Sequence, residues 1–203
     1  AVEVYDLYSG KTKWKLKYIK KTSKRYGGKK FNNDGSNSWG GISLDENRGL
    51  LYFTTGNPHY YFDGTQRPGS NPNSCSLIAI DLEKKKILWS FQETSHDIWN
   101  SDLPAPPVLT SITKNNKKID VVVTPTKRSN TLILDRVTGE PIFDFRLRKA
   151  PKSKLPGEKT SRYQPDLEIP EPFGRNVFKK EDLWSYDPGY QKEINKKYKN
   201  FNF

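Results

Sequence analysis

Three stretches of this chain carry one local pattern, and that recurrence limits the folds open to it more than any other feature. They are Tyr5-Asp6-Leu7-Tyr8-Ser9-Gly10-Lys11-Thr12-Lys13-Trp14-Lys15-Leu16, Ile80-Asp81-Leu82-Glu83-Lys84-Lys85-Lys86-Ile87-Leu88-Trp89-Ser90-Phe91 and Leu134-Asp135-Arg136-Val137-Thr138-Gly139-Glu140-Pro141-Ile142-Phe143-Asp144-Phe145. In each, an Asp is followed by Gly or Lys at +4 and by an aromatic at +8. Self-similarity at fixed offsets marks a repeat architecture. The unit reads as a β-hairpin. An apolar strand ends at Asp, whose carboxylate can accept backbone N–H groups in the turn. Gly10 and Gly139 can take the positive φ that closes it, and Lys85 implies a strained version of the same turn. The aromatic then lies on the returning strand, placed to pack between neighbouring sheets.

A second strand pair precedes each of the two later hairpins. Trp39-Gly40-Gly41-Ile42-Ser43-Leu44 and Leu50-Leu51-Tyr52-Phe53-Thr54-Thr55 flank a polar turn, as do Val108-Leu109-Thr110-Ser111-Ile112 and Ile119-Asp120-Val121-Val122-Val123. Short antiparallel strands in successive groups of four predict propeller blades, the competing architecture being a small β-sandwich. The expected fold is all-β: a partial β-propeller of about two and a half four-stranded blades with long loops and a short C-terminal helix. Residues 1–18 form the hairpin of a preceding blade, 38–92 one blade and 103–146 the next. Residues 147–203 form a Pro/Lys-rich loop and helix extension of the same domain. Residues 19–37 and 147–180 read as long loops. Asp187-Pro188-Gly189 reads as a helix start, with Tyr190, Ile194 and Tyr198 on one face of a packing helix over 188–199. A closed propeller takes at least four blades, so the remaining blades are expected outside this stretch, which opens directly on strand-like Val2-Glu3-Val4-Tyr5.

Composition supports folding and excludes several functions. The chain is 33% hydrophobic and 29% charged, but its 13% aromatic content, with 5 Trp and 11 Tyr, supplies packing surface that disordered tails lack. The net charge of +12 comes from lysines concentrated at 11–30, 114–118 and 192–199 without a nucleic-acid motif, so no nucleic-acid partner is expected. Cys75 is the one cysteine, which excludes an internal disulfide. No run of about 18 apolar residues or signal-like segment is present. His59 and His96 have no cysteine partners for a zinc site, and neither Gly27-Gly28 nor Gly40-Gly41 opens a phosphate-binding helix.

A series of short strings completes the reading. Asn37-Ser38-Trp39-Gly40-Gly41-Ile42-Ser43-Leu44-Asp45 is followed by Thr54-Thr55-Gly56-Asn57-Pro58 and Asp63-Gly64-Thr65-Gln66-Arg67-Pro68-Gly69. Next come Ser76-Leu77-Ile78-Ala79-Ile80-Asp81, His96-Asp97-Ile98-Trp99 and Asp102-Leu103-Pro104-Ala105-Pro106-Pro107. Thr126-Lys127 and Leu132-Ile133-Leu134-Asp135-Arg136 close the series. In this order the strings resemble the pyrroloquinoline-quinone (PQQ)-dependent dehydrogenases, most closely the membrane-bound glucose and alcohol dehydrogenase branch of the quinoproteins. The resemblance implies an eight-bladed propeller with PQQ in a central site beside Ca²⁺ or Mg²⁺. An alcohol or sugar is oxidised there, and electrons pass to ubiquinone or a cytochrome in the periplasm. It makes Trp39 the flat floor under the quinone and Lys127 the cation reaching its oxygens, while Asn57 becomes a metal ligand.

The sequence departs from the family at Ser95, where a second His is common, at Ser129, where a glycine is usual, and at the end of one catalytic string. The pattern His-Asp-x-Trp-Asp ends in the general base, and here it ends in Asn100. An amide oxygen can ligate a metal but cannot accept a proton at neutral pH. Either Asp97 or Asp102 takes the proton, or the chain belongs to a non-catalytic PQQ-repeat propeller that serves as a binding or assembly scaffold.

Overall fold

A computed structural model describes residues 1–19, 25–26, 29–30, 35–175, 179–184 and 187–200. Strands β1 (Val2–Tyr5) and β2 (Thr12–Leu16) form an antiparallel hairpin. Arg25–Tyr26 (β3) and Lys29–Lys30 (β4) pair briefly. A four-stranded antiparallel sheet follows in sequence order: β5 (Ile42–Asp45), β6 (Leu50–Thr54), β7 (Ser76–Asp81) and β8 (Lys86–Gln92). The next sheet contains β9 (Val108–Lys114), β10 (Lys117–Pro125) and β11 (Thr131–Asp135), with β10 in the centre.

The repeated turns are built as their residue types dictate. Asp6 Oδ1 accepts the backbone N–H of Ser9 at 2.9 Å, Asp81 Oδ1 that of Lys84 at 2.8 Å, and Asp135 Oδ1 those of Val137 and Thr138, both at 2.8 Å. The +4 residues all adopt left-handed backbone, with φ of 66° at Gly10, 53° at Lys85 and 75° at Gly139. Lys85 therefore makes the glycine turn while carrying a Cβ, which costs roughly 1–2 kcal/mol.

Packing between sheets explains the apolar run of β7. Every residue of that strand is buried, because the sheet is covered on both faces. One face of the β5–β8 sheet, including Phe53, Ile78 and Ile80, meets Val2, Tyr18, Trp14 and Leu16 of the N-terminal hairpin. The other, with Tyr52, Leu77 and Ala79, meets Val122, Leu132 and Leu134 of the three-stranded sheet. Alternate residues of one strand thus serve two cores, as the two-residue side-chain period requires. The +8 aromatic forms the link between sheets: Trp89 Nε1 donates to the Arg136 carbonyl at 3.2 Å, and Tyr52 Oη donates to the same carbonyl at 2.9 Å. An ion-pair cluster lies alongside, with Asp45 bound by Arg136 at 3.0 Å and by Arg48 at 2.9 Å. This sheet-on-sheet stacking is that of β-propeller blades.

Three elements differ from the sequence expectation. The second sheet has three strands, because the segment expected to return as its fourth meets β11 only at an isolated Leu134–Pro141 bridge and does not continue the ladder. Its two bonds to β11 run from the Ile142 N–H to the Ile133 carbonyl at 2.9 Å and from the Asp135 N–H to the Glu140 carbonyl at 2.8 Å. The stretch expected to be a loop after residue 147 contains a hairpin, β12 (Arg146–Lys149) with β13 (Tyr163–Asp166). The C-terminal helix α1 (Pro188–Lys197) starts at its Asp187 cap as expected but buries none of its residues, and Tyr190 faces solvent.

Candidate functional site

Strand polarity collects the candidate residues at one end of the stacked sheets. Trp39 lies three residues before β5, Asn57 follows β6, residues 93–107 connect β8 to β9, and Lys127 follows β10. The repeated Asp turns lie at the opposite end.

Asp102 joins these connections. It is 7% exposed; its Oδ1 accepts the Asn57 backbone N–H at 2.7 Å, and its Oδ2 accepts the Lys127 ammonium at 2.6 Å. Lys127 Nζ also donates to the Asn100 carbonyl at 3.2 Å and stands 5.8 Å from the centroid of the Trp39 ring. The indole is 53% exposed, so it presents a flat surface beside a cation. Five of the six residues singled out from sequence, Trp39, Asn57, Asn100, Asp102 and Lys127, thus occupy one locus shared between two sheets.

Gly56 makes that convergence sterically feasible. A Cβ there would lie 2.7 Å from Asp102 Oδ1 and 3.2 Å from Trp39 Nε1. Any other residue would separate the carboxylate from the indole, a requirement that the Gly-Asn-Pro string contains but does not announce.

Asp97 lies behind the locus in a structural role. It is 1% exposed, and its carboxylate accepts the N–H groups of Trp99 at 3.0 Å and Ser101 at 2.8 Å. Its carbonyl accepts a hydrogen bond from Arg67, which also bonds Asn71 Oδ1 at 2.9 Å and the Tyr60 carbonyl at 3.2 Å. Trp99 of the same motif points outward and is 80% exposed. Asn100 has a φ of 57°, a left-handed conformation that Asn tolerates better than most residues.

Two supporting residues escaped the sequence reading. Buried Arg67 ties the 58–71 loop to the 96–101 loop, as the bonds above describe. Glu93 is fully buried, and its Oε1 accepts Thr126 Oγ1 and Asn130 Nδ2, both at 2.8 Å, bracing the turn that carries Lys127. Burial pushes the Glu93 carboxyl above its ordinary range, against the opposing pull of those two hydrogen bonds. A lone Glu in Phe91-Gln92-Glu93-Thr94 carries no local signal of burial.

The donor set suits a planar anionic quinone. It combines an exposed indole face, an ammonium beside it, and the buried Asn57 amide, whose Nδ2 has no hydrogen-bond partner and is therefore not consumed by the fold. For a divalent cation the chain offers the Asp102 carboxylate and the amides of Asn57 and Asn100. Among the described residues no three His, Cys, Asp or Glu side chains gather. Hard cations take six or more oxygens, so these residues furnish part of a coordination shell.

Comparison with known proteins points the same way. The model of the family described as PQQ, glucose/ethanol/alcohol dehydrogenase, β-propeller domain, matches residues 1–203. The glycerol dehydrogenase large subunit of Gluconobacter thailandicus is 29% identical over 195 residues, covering 91% of this chain and 26% of that protein. The quinoprotein glucose dehydrogenase of Escherichia coli (strain K12) is 31% identical over 141 residues, covering 68% of this chain and 18% of that protein. The chain spans about a quarter of the length of the first and a fifth of the second. The crystal structure of quinohemoprotein alcohol dehydrogenase from Comamonas testosteroni superposes on 81% of this chain and 27% of that one, with a TM-score of 0.62 at 22% identity, a likeness of fold.

Proposed function

Because the chain belongs to the PQQ family, the β-propeller domain of glucose, ethanol and alcohol dehydrogenases, we propose that it furnishes part of the quinone site of an oxidoreductase acting on an alcohol or sugar. The observation that carries this reading is the meeting of Trp39, Asn57, Asp102 and Lys127 across two sheets. When bound, PQQ supplies the two-electron acceptor. Trp39 offers the surface on which a planar ring system stacks. Lys127, already poised between the indole and Asp102, turns its ammonium to the anionic oxygens of the ligand and compensates charge that builds there.

Asp102 is the general base in this reading. Asn100 occupies the position of the family's base and cannot take a proton. Asp97 spends its carboxylate on two backbone N–H groups. Asp102 has the carboxylate at the locus, and its Lys127 partner is free to swing to the ligand. Asn57 and Asn100 contribute amide oxygens to a Ca²⁺ or Mg²⁺ shell completed by other parts of the protein. From the family we infer an eight-bladed whole, a periplasmic location, and ubiquinone or a cytochrome as the next electron acceptor.

The test is dye reduction by the intact protein loaded with PQQ and Ca²⁺. Asp102→Asn keeps the acceptor for the Asn57 N–H but loses the base, and turnover falls by roughly 10²–10⁴. Asp97→Asn acts through stability, with turnover per folded molecule retained. Full activity in Asp102→Asn overturns the assignment. Asn100 also favours a second reading, a scaffold propeller without catalysis. That reading prevails where the folded wild-type protein gives neither heat nor spectral change with PQQ and metal.

A further inference from the structure

Across the 94–101 loop from Asp102 lies a cavity of about 450 Å³ that the quinone reading does not use. Its walls come from that loop, from the turn after β10 that carries Arg128, and from the segment around the β12–β13 hairpin. Gln164 on β13 closes the seam by accepting the Ser95 N–H on Oε1 at 2.8 Å and donating from Nε2 to the Ser95 carbonyl. The lining carries three cations, Arg128, Arg148 and Lys152, together with Thr94, Asp97 and Glu158.

The charges are not balanced within the cavity. Neither acid pairs with any of the three cations: Asp97 holds the N–H groups of Trp99 and Ser101, and Glu158 Oε1 accepts the Gly64 N–H at 3.0 Å and lies 3.5 Å from His96 Nε2. Among the described residues Arg128, Arg148 and Lys152 enter no ion pair. The hydroxyl of Thr94, buried in the wall, has no hydrogen-bond partner. Unpaired cations around a concavity of ligand size, with a buried hydroxyl ready to bond, are the elements of an anion site. Small-molecule pockets run to about 300–1,000 Å³, and arginines recognise carboxylate and phosphate through paired N–H donors.

We propose that this cavity binds a small multiply charged anion bearing carboxylate or phosphate groups, at a site separate from that of the quinone. Arg128, Arg148 and Lys152 hold its charges, and Thr94 bonds one oxygen. Because Asp97, Trp99 and Ser101 form one wall while Asn100 and Asp102 serve the quinone side of the same loop, the anion also fixes the position of the proposed base.

Titration calorimetry on the intact protein without quinone or metal tests this, using inorganic phosphate and malonate at ionic strength held constant with sodium chloride. Saturable binding of at least one anion is expected, weakened about tenfold or more in Arg148→Gln and in Lys152→Gln and unchanged in Trp39→Ala. Arg148 and Lys152 are exposed, so both variants should fold, as circular dichroism checks. Binding of phosphate alone assigns a phosphate ester, of malonate alone a carboxylate, and of both a site for either group. No saturable binding of either anion overturns the proposal. So does binding that survives both cavity substitutions, or binding that Trp39→Ala abolishes.

Discussion

Substituting Gly139 by Ala tests the idea that blade stacking depends on the +8 aromatic seating on the next repeated turn. Gly139 has a φ of 75°, and a Cβ built there would lie 2.5 Å from Trp89 Cδ2, 2.6 Å from Cγ and 2.9 Å from Cε3. Gly49, in the β5–β6 turn, is the internal control: its φ is 61°, and a Cβ meets nothing within 4 Å. Both substitutions incur the left-handed backbone cost of roughly 1–2 kcal/mol. Only Gly139→Ala also drives an atom into a partly buried indole ring, and overpacking of that kind costs roughly 1–3 kcal/mol. Trp89 cannot retreat freely, because its Nε1 is bonded to the Arg136 carbonyl and its ring packs 5.9 Å from that of Tyr52. Gly139→Ala should therefore lose about 2–5 kcal/mol, against about 1–2 for Gly49→Ala. Urea unfolding followed by Trp fluorescence measures both. Equal losses in the two variants would refute the claim that the ring occupies the space above the turn.

Other outcomes follow from the same contacts. Arg136→Met leaves the 5%-exposed Asp45 with Arg48 alone, and should lower stability by about 3 kcal/mol in urea titrations at neutral pH. Burial raises the Asp45 pKa, but its bonds to Arg136 and Arg48 outweigh that and hold it below the ordinary value. Its contribution is therefore present above the unfolded-state pKa and lost as pH falls through the folded one, a loss that Arg136→Met should diminish. Glu93 titrates with the opposite sign. Its folded pKa is raised, so its stabilising contribution is complete below the unfolded value and disappears as pH rises through the folded one. Glu93→Gln should flatten that part of the stability profile between acid and neutral pH, and an unaltered profile would show that another group is responsible.

How much was legible in the sequence depended on the range of the interaction. The Asp–Gly–aromatic turns were readable because their determinants lie within eight residues: Asp135 caps its own turn, and Gly139 closes it. The same reading failed two residues later at Pro141, beyond which the returning segment keeps no ladder with β11. β12 and β13 gave no alternating apolar signal, being held partly by the Gln164–Ser95 contacts that span 69 positions. Helix α1 showed the reverse error, since its spacing was right but no apolar face is covered. At the site, the resemblance supplied the residues and geometry supplied their division of labour. Asp97 and Asp102 look equivalent in the string Asp97-Ile98-Trp99-Asn100-Ser101-Asp102, and only the fold shows that one caps a loop while the other meets Lys127. Arg67 and Glu93 remained hidden because a buried polar residue looks like a surface one until its partners are known.

Asp102 bonds a backbone amide from one sheet and an ammonium from the neighbouring sheet, so neither sheet holds the constellation alone. A chain whose β5–β8 and β9–β11 units have each formed hydrogen bonds, but have not yet docked, has not assembled the proposed quinone site. Competence therefore arrives late in maturation, together with tertiary closure. Under the proposed function, quinone uptake then reads out completed docking of the two sheets.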